Sequence, residues 1–333
     1  MASTGPSAGP LSLSAMGSFT VGGRRLRVSG QPAQVVAVSR DLPEFVVDPN
    51  GTYRVEHAYV QYFIPAEPRH LPVVLLHGGG LTGSCWEGTP DGRAGWVEHF
   101  LRAGHPVYVV DNAERGRAGW WPLPGLPYEE RPVLRSAEAA WETFRIGLPG
   151  GYDQLRPFPG CLFPVDHFDH LCSQVVPRWS TTTDLGVAAI EALLAKIGRC
   201  VVIAHSQGGG VAAHAAERDP DHVAALVLLE PHGLPTPPKA APAGPTPQLI
   251  VAGDFIEQST LYRHLRARWH TYLDDVRSLG ARADFYDLPA MGHPGNSHMV
   301  MMDGNSDLVA CLVQQWLVQA TTQGEGKTPR HRE

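Results

Sequence analysis

Short apolar runs alternate along this chain with longer mixed stretches, from about residue 70 onwards. Runs of Val, Leu, Ile and Ala without polar interruption are typical of strands that are buried on both faces of a parallel sheet. We predict strands at 73–76, 107–111, 200–203, 225–229, 248–252 and 284–288. The stretches between and after them are predicted as helices, at 95–103, 183–197, 207–219, 261–279 and 307–318. The alternation predicts an α/β fold with a mostly parallel, doubly wound sheet.

Residues 18–64 have a different pattern, in which apolar and polar positions alternate as in strands with one exposed face. Strands are predicted at 18–21 and 24–28, joined by a turn at Gly22-Gly23, and at 53–64. We expect them to form an antiparallel lead-in to the main sheet.

An insertion interrupts the alternation at 112–180. This stretch is rich in aromatic residues and prolines where further strands and helices would be expected. Ligands of doubly wound sheets bind outside the carboxyl ends of the strands, so we predict that the insertion is a cap, or lid, over that edge. The core is then 18–111 and 181–322, preceded by a flexible leader at 1–17 and followed by a polar tail at 323–333.

Composition and charge narrow the classes of function. Hydrophobic residues make up 43% of the 333 residues and charged residues 18%, which is enough for a sizeable core. The formal net charge of -6 offers no basic surface for nucleic acid, and no apolar run approaches the roughly 20 residues that cross a bilayer. We predict no nucleic-acid or membrane partner and a cytoplasmic location, with secretion as the alternative if a signal peptide has been removed.

The cysteines are candidates for cross-links, and a cluster of polar residues in the cap is a candidate metal site. The five cysteines are odd in number and form no C-x-x-C pair, which predicts reduced thiols, with a Cys161–Cys172 bridge as the alternative. The segment 166–170, Asp-His-Phe-Asp-His, has no clear partner for a complete ligand set and is interpreted as a polar surface of the cap. No metal and no cofactor are predicted.

The strongest chemical signal is Ala-His-Ser-Gln-Gly-Gly at 204–209, between an apolar strand and an Ala-rich helix. This is the setting of a nucleophile elbow, in which a serine occupies a strained corner and the residues two before and two after are small. Those residues are Ala204 and Gly208 here. The corner raises the Ser206 hydroxyl above the sheet and directs the first amides of the helix at whatever it attacks.

A serine hydroxyl needs an imidazole to accept its proton, and the loop after the last strand supplies two candidates. His293 precedes a proline, whereas His298 follows the flexible Gly-Asn-Ser at 295–297 and leads toward the last helix. We favour His298.

The acid that orients this imidazole is either Glu230 or Asp254. Glu230 ends an apolar strand next to the nucleophile strand, where a carboxylate is costly unless it has a partner. Asp254 follows the next strand, but with Glu257 it also has the spacing of a helix capping box. We favour Glu230 and keep Asp254 as the alternative.

The glycine-rich segment His77-Gly78-Gly79-Gly80 follows the first buried strand. Glycines let backbone N–H groups approach a developing oxyanion, so the amides of Gly79 and Gln207 are predicted to form an oxyanion hole. His77 is interpreted as a hydrogen-bonding residue that fixes the loop. The run 78–83 also matches G-x-G-x-x-G, with Asp111 ending the next strand, which leaves an NAD-dependent oxidoreductase as an alternative of another class.

Taken together, these residues resemble the α/β-hydrolase superfamily and, more narrowly, a group of bacterial esterases typified by the Alcaligenes esterase. The resemblance covers about 70–300. The matching segments are His77-Gly78, Leu81-Thr82-Gly83, Trp86-Glu87, Arg115-Gly116-Arg117, His205 to Gly209, Glu230-Pro231 and Gly295 to His298. It implies a Ser206, Glu230 and His298 triad and a homodimer. In that group two adjacent cysteines can follow the His-Gly, and Gly79-Gly80 stand there instead, so no role of such a pair carries over.

The expected function is that of a serine carboxylic ester hydrolase that forms an acyl-enzyme and acts on a small-molecule ester. Lactonase, amidase or acyltransferase activity would use the same triad. A non-catalytic binding module with this fold is a further alternative.

Overall fold

An eight-stranded sheet organises the chain in the computed structural model, which describes residues 9–121, 131–236 and 246–322. The strands are β1 (Leu13–Val28), β2 (Gln34–Val36), β3 (Phe45–Val47), β4 (Gly51–Pro65), β5 (Val73–Leu76), β6 (Val107–Asp111), β7 (Cys200–His205), β8 (Val223–Leu229), β9 (Gln248–Ala252) and β10 (Ala283–Asp287). The helices are α1 (Trp96–Ala103), α2 (Ala137–Thr143), α3 (Phe168–Cys172), α4 (Thr183–Ile197), α5 (Gln207–Arg218), α6 (Thr260–Ser278) and α7 (Ser306–Thr322).

The strand order of the main sheet is β1-β4-β6-β5-β7-β8-β9-β10. Neighbouring strands from β6 to β10 run parallel, whereas β4 is antiparallel to both β1 and β6. Every residue of β5, β7, β8 and β9 is buried, as their apolar runs predict. The predicted α/β class and mostly parallel sheet are confirmed.

Two apolar layers cover the sheet. Because side chains alternate across a strand, Val73 and Leu75 pack with α1 and α7, whereas Val74 and Leu76 pack with α4, α5 and α6. The carboxyl ends of the parallel strands therefore meet along one edge between the layers, where the loops that carry the candidate chemistry begin.

The antiparallel part differs from the prediction in three places. β1 begins at Leu13, inside the segment predicted as a leader, because residues 13–17 pair with the end of β4. No turn forms at Gly22-Gly23, because the strand continues through both glycines, which take φ values of 67° and 71°. A small hairpin of β2 and β3 was not predicted. Leader residues 1–8 and the predicted tail at 323–333 lie outside the described residues.

The described parts of the insertion, 112–121 and 131–180, lie over the carboxyl edge of the sheet. Its Leu162 donates a backbone hydrogen bond to Gly295 (2.8 Å) and accepts one from Gly304 (2.7 Å), on either side of His298. Apolar residues of α2 and α3 belong to the same buried cluster as α1 and α7. The insertion is thus packed onto the core.

Two further features bear on the sequence-based expectations. Within the three described ranges, no helix combines the length and apolarity needed to span a bilayer. All five cysteines are free thiols, and Cys161 and Cys172 are not bridged.

Candidate active site

Ser206 stands at the corner between β7 and α5 with φ 53° and ψ -119°, a conformation that non-glycine residues rarely adopt. The surrounding glycines make the corner sterically feasible. A Cβ at Gly208 would collide with the carbonyl oxygen of His77, and one at Gly209 would lie 2.6 Å from Cβ of Pro231. The backbone N–H of Ser206 donates to the Leu229 carbonyl (2.9 Å), which ties the corner to the end of β8.

His298 lies beside this serine. Its Nε2 is 3.0 Å from Oγ of Ser206, and its Nδ1 is 2.6 Å from Oε2 of Glu230. An ionised carboxylate only accepts hydrogen bonds, so Nδ1 carries the proton and Nε2 presents its lone pair to the serine hydroxyl. Burial lowers the pKa of His298, although Glu230 acts in the opposite direction, and the imidazole is therefore neutral at pH 7.

Ring packing and a backbone bond fix the His298 ring. Phe144 of the insertion stacks on it with 5.9 Å between ring centroids, and the ring of Tyr262 lies 5.1 Å away. The backbone N–H of His298 donates to the Phe144 carbonyl (2.8 Å). The insertion therefore helps to hold the imidazole at hydrogen-bonding distance from the serine.

Glu230 is completely buried and is held by the insertion through Arg145. The guanidinium of Arg145 donates two parallel hydrogen bonds to it, from Nη1 to Oε2 (2.7 Å) and from Nη2 to Oε1 (2.5 Å). The backbone N–H of Gly253 donates a further bond to Oε1 (2.7 Å). Burial alone would raise the pKa of Glu230, but the charge of Arg145 and the hydrogen bond from His298 outweigh it and lower the pKa to about 2.

Arg145 follows Phe144, the C-cap residue of α2, and takes a φ of 55°. Its side chain is 1% exposed, and its guanidinium carbon lies 4.1 Å from the centroid of the Tyr262 ring. Its Nε donates to the Asp254 carbonyl (2.8 Å). No sequence motif pointed to this residue. Its one signal was indirect, since a buried carboxylate at 230 required a cation, but nothing along the chain selects one arginine among many.

Asp254, the alternative acid, contacts a different part of the loop. Its carboxylate accepts hydrogen bonds from the backbone N–H groups of Phe255 (2.6 Å) and Gly295 (2.8 Å). The predicted capping box with Glu257 does not form, because α6 begins at Thr260 and Ser259 caps it. Asp254 therefore supports the backbone that leads to His298, whose side chain it does not contact.

Asp303 supports the same loop from the core. Its carboxylate accepts hydrogen bonds from the backbone N–H (2.8 Å) and hydroxyl (2.7 Å) of Ser297 and from the Asn296 side chain (3.1 Å). Burial raises the pKa of Asp303 to about 7. His293, the other candidate histidine, is half-buried earlier in the loop, and the structure places His298 rather than His293 at Ser206.

The glycine segment after β5 packs against the elbow. A Cβ at Gly78 would lie 2.7 Å from Nδ1 of His205 and 3.0 Å from Cβ of Ser206, so only glycine allows this approach. Gly79 lines the same cavity as Ser206. His77 fixes the loop, because Nδ1 donates to the Gly78 carbonyl (2.8 Å) and Nε2 accepts from the backbone N–H of Asn112 (3.1 Å).

The dinucleotide-binding alternative requires a long helix directly after the glycines, and the structure has none there. A single 3-10 turn, Gly83–Trp86, follows, and α1 begins only at Trp96. The carboxylate of Asp111 accepts hydrogen bonds from the backbone N–H of Gly83 (2.7 Å) and from Nε of Arg117 (2.8 Å), so it is committed to internal contacts.

Over 9–121, 131–236 and 246–322, no three His, Cys, Asp or Glu side chains come together as a metal site, and this includes the 166–170 segment.

A cavity of about 270 Å³ opens at Ser206 and His298. Part of its wall is apolar, from Leu81, Phe144, Leu261 and Leu265. The remainder includes Arg135, Arg178 and His232. Such a mixture of apolar surface with a few polar groups at a reactive side chain is typical of a small-molecule site.

Comparisons with known proteins place this geometry in a wider group. Residues 73–328 match the model of the alpha/beta hydrolase family. A solved structure described as a novel bacterial esterase superposes with a TM-score of 0.83 at 35% identity, covering 94% of this chain and 98% of that one. The chain is 27% identical over 319 residues to a probable secreted lipase, phiG, of a fungal species (strain ATCC 74256), covering 80% of this chain and 87% of that protein. A segment of 52 residues is 54% identical to lipase LipV of Mycobacterium tuberculosis, which is 15% of this chain and 20% of LipV.

Proposed function

The chain belongs to the alpha/beta hydrolase family and is an ester-bond hydrolase within it, and we propose that it acts on carboxylic esters through a Ser206 acyl-enzyme. The observation that carries the proposal is the chain of hydrogen bonds from Ser206 through His298 to Glu230, at the wall of a cavity. The likeness to α/β-hydrolases and to a bacterial esterase that the sequence predicted is confirmed.

In the proposed mechanism His298 moves the proton at each step. Nε2 takes the proton of Ser206 as Oγ attacks the ester carbonyl, and it then returns this proton to the leaving alcohol. Water then enters and gives a proton to the same Nε2 as its oxygen attacks the acyl carbon. When the bond between the acyl carbon and Ser206 Oγ breaks, Nε2 returns this proton to Oγ, and the carboxylic acid leaves. Glu230 accepts the hydrogen bond from Nδ1–H throughout and stabilises the imidazolium, which forms twice in each cycle.

The oxyanion is proposed to bind the backbone N–H groups of Gly79 and Gln207. Gln207 is the first residue of α5, so its own N–H has no hydrogen-bond partner within the helix. Gly79 lines the same cavity as Ser206. Each donor of this kind contributes about a hundredfold to a thousandfold in rate.

Ser206→Ala tests this proposal most directly. We expect kcat on p-nitrophenyl butyrate to fall by at least about four orders of magnitude, because the covalent route is lost. The exposed Ser278→Ala serves as the matched control. Intact-mass spectrometry of the wild type during turnover should show one acyl adduct, and peptide mapping should place it on Ser206. Undiminished turnover by a folded Ser206→Ala variant would refute the proposal.

Several predictions are left open by these contacts. Lactonase, amidase and acyltransferase activities would use the same residues, and rates on matched lactones, amides and alcohol acceptors separate them. The homodimer stays a prediction, which sedimentation of the purified protein would test. The compartment also stays a prediction, and secretion is stated only in the name of the fungal relative.

A further inference from the structure

Two arginines of the insertion, Arg135 and Arg178, line the cavity that contains Ser206 and His298. Neither has a role in the mechanism above. Their position is nevertheless well defined by the backbone and by their packing.

The backbone brings the two arginine-bearing segments together over the glycine loop. Val133 and Arg178 form an isolated antiparallel bridge, with hydrogen bonds of 2.7 and 3.2 Å. Val176 donates to the carbonyl of Gly80 (2.9 Å), which anchors the second segment directly on the loop that follows β5. Arg135 lies only two residues after Val133 and therefore enters the same space.

The side chains pack against groups at the reaction centre. A Cβ at Gly79 would collide with Nη1 of Arg178, so the guanidinium lies on the residue whose amide we assign to the oxyanion. The guanidinium carbon of Arg135 lies 5.1 Å from the ring centroid of Phe144, the ring that stacks on His298. Both positive charges are thus adjacent to the position of a bound ester.

Neither guanidinium has an acidic partner in the described part of the chain. There, no carboxylate lies within ion-pairing distance of Arg135 or Arg178, whereas Arg145 in the same insertion is fully paired with Glu230. Nε of Arg178 is buried and makes no hydrogen bond within those residues. A half-buried cation without a partner is costly, so a wall that holds two of them favours an anion.

The titration of neighbouring groups reflects the same positive potential. Burial lowers the pKa of Arg135, and repulsion by Arg178 lowers it further. Burial lowers the pKa of His232 to about 4, with further contributions from His298, Arg178 and Arg135. His232 therefore stays neutral at pH 7 and adds no charge of its own.

We propose that Arg135 and Arg178 form a subsite for a carboxylate of the substrate, so that the preferred substrates are small carboxylic esters that carry a second, ionised carboxyl group. Guanidinium groups bind carboxylates through paired N–H donors, and the cavity of about 270 Å³ restricts the rest of the molecule to a small size. This inference rests on the proposed serine ester hydrolase function and adds a substrate class to it.

The experiment compares matched esters with and without the anion. On the acyl side these are mono-p-nitrophenyl glutarate and p-nitrophenyl pentanoate, and on the alcohol side 4-acetoxybenzoate and p-tolyl acetate, each corrected for spontaneous hydrolysis. The readout is the ratio of kcat/KM for the anionic ester to that for its neutral partner. Because the ratio is compared between variants, differences in intrinsic reactivity and losses common to both esters cancel.

We expect the wild-type ratio to exceed that of Arg178→Gln by about tenfold to a hundredfold for one of the two ester pairs, the usual effect of a charge-assisted hydrogen bond. Arg135→Gln should lower the same ratio. Arg178→Lys retains the charge without the paired donors and should give an intermediate ratio. Arg25→Gln removes an exposed charge on β1 and should leave both rates unchanged.

The outcomes separate this inference from the function on which it rests. If the wild type hydrolyses neutral esters through Ser206 but neither arginine variant changes either ratio, the carboxylate subsite is refuted and the hydrolase stands. If no ester is hydrolysed, calorimetric binding of glutarate to the wild type, compared with Arg178→Gln, decides the subsite independently. Equal or absent binding in the two proteins would refute it.

Discussion

The sheet and the insertion contribute different kinds of group to one site. The sheet provides the groups assigned to bond making, since Ser206 follows β7, Glu230 follows β8 and His298 lies in the loop after β10. The insertion provides cations, namely Arg145 behind Glu230 and the Arg135–Arg178 pair over Ser206. In the proposed function, groups that follow strands of the sheet carry out the reaction, whereas arginines of the insertion adjust its charge and bind a carboxylate of the substrate.

The two sets of groups also differ in how they are held. Ser206 and Glu230 both have a positive φ, of 53° and 45°, and each directly follows a fully buried strand of the sheet. Arg145 also has a positive φ, but it follows a helix of seven residues in the insertion. Its position is set by its contacts with Glu230, Asp254 and Tyr262 more than by its own element.

The largest expected effect is a difference in kcat between variants of Glu230 and Asp254, two carboxylates that both follow strands of the sheet. Glu230→Gln should lower kcat by about four orders of magnitude, because it removes the charge that stabilises the imidazolium and orients His298. Asp254→Asn should leave kcat within about tenfold, since Asp254 only supports backbone N–H groups. Steady-state rates on p-nitrophenyl butyrate, with circular dichroism to verify folding, make the comparison. The opposite ranking would make Asp254 the acid.

A smaller effect is expected when Arg145, the residue of the insertion that pairs with Glu230, is replaced. Arg145→Gln leaves Glu230 buried without its cation, which should lower the free energy of unfolding by about 3 to 5 kcal/mol. The charge of Arg145 also lowers the pKa of both Glu230 and His298, so its loss should move the acid limb of kcat/KM to higher pH. Denaturant unfolding and the pH profile measure the two effects.

Two variants control for this result. Arg145→Lys retains the charge and should restore the acid limb toward its wild-type position, which a purely structural role would not require. Arg156→Gln removes an exposed arginine of the same insertion and should change neither quantity. An acid limb that stays in place in Arg145→Gln would contradict the proposed effect of the Arg145 charge on Glu230 and His298.

The sheet residues could be found from sequence because they depend on local patterns. The apolar strand, the small residues around Ser206 and the carboxylate that ends an apolar run are each visible in a few consecutive letters. The bounds of α4 were predicted to the residue, because buried positions recur along that helix. The start of β1 at Leu13 was not predicted, since pairing with a strand tens of residues away decides where this strand begins.

The insertion's residues could not be found in this way. Arg145 and Glu230 are 85 positions apart, and only the packing of α2 over the strand ends brings them into contact. The Arg135–Arg178 pair depends on a single bridge between Val133 and Arg178 in a region with little regular structure. Ion pairs between residues so far apart in the sequence leave no periodic pattern. The sequence therefore predicted a cap at this place, but not the electrostatic role of its arginines.

The smallest expected effect concerns the core's own support of the His298 loop, at Asp303. Its pKa is raised from the ordinary 3.8 to about 7 by burial, so the folded protein binds a proton more tightly there than the unfolded chain does. This group's contribution to stability is therefore greatest below pH 4 and is lost as the pH rises toward 7, by about 1 kcal/mol per pH unit within that window.

The substitution Asp303→Asn tests this effect. The amide is neutral like the protonated acid, and its oxygen still accepts hydrogen bonds from the backbone N–H of Ser297 and from the Asn296 side chain. Thermal unfolding of Asp303→Asn should match the wild type near pH 4 and exceed its Tm by a few degrees at pH 8. A Tm difference that does not vary with pH would show that Asp303 is ionised throughout, and that the core, like the insertion at Arg145, holds His298 in place with a charge.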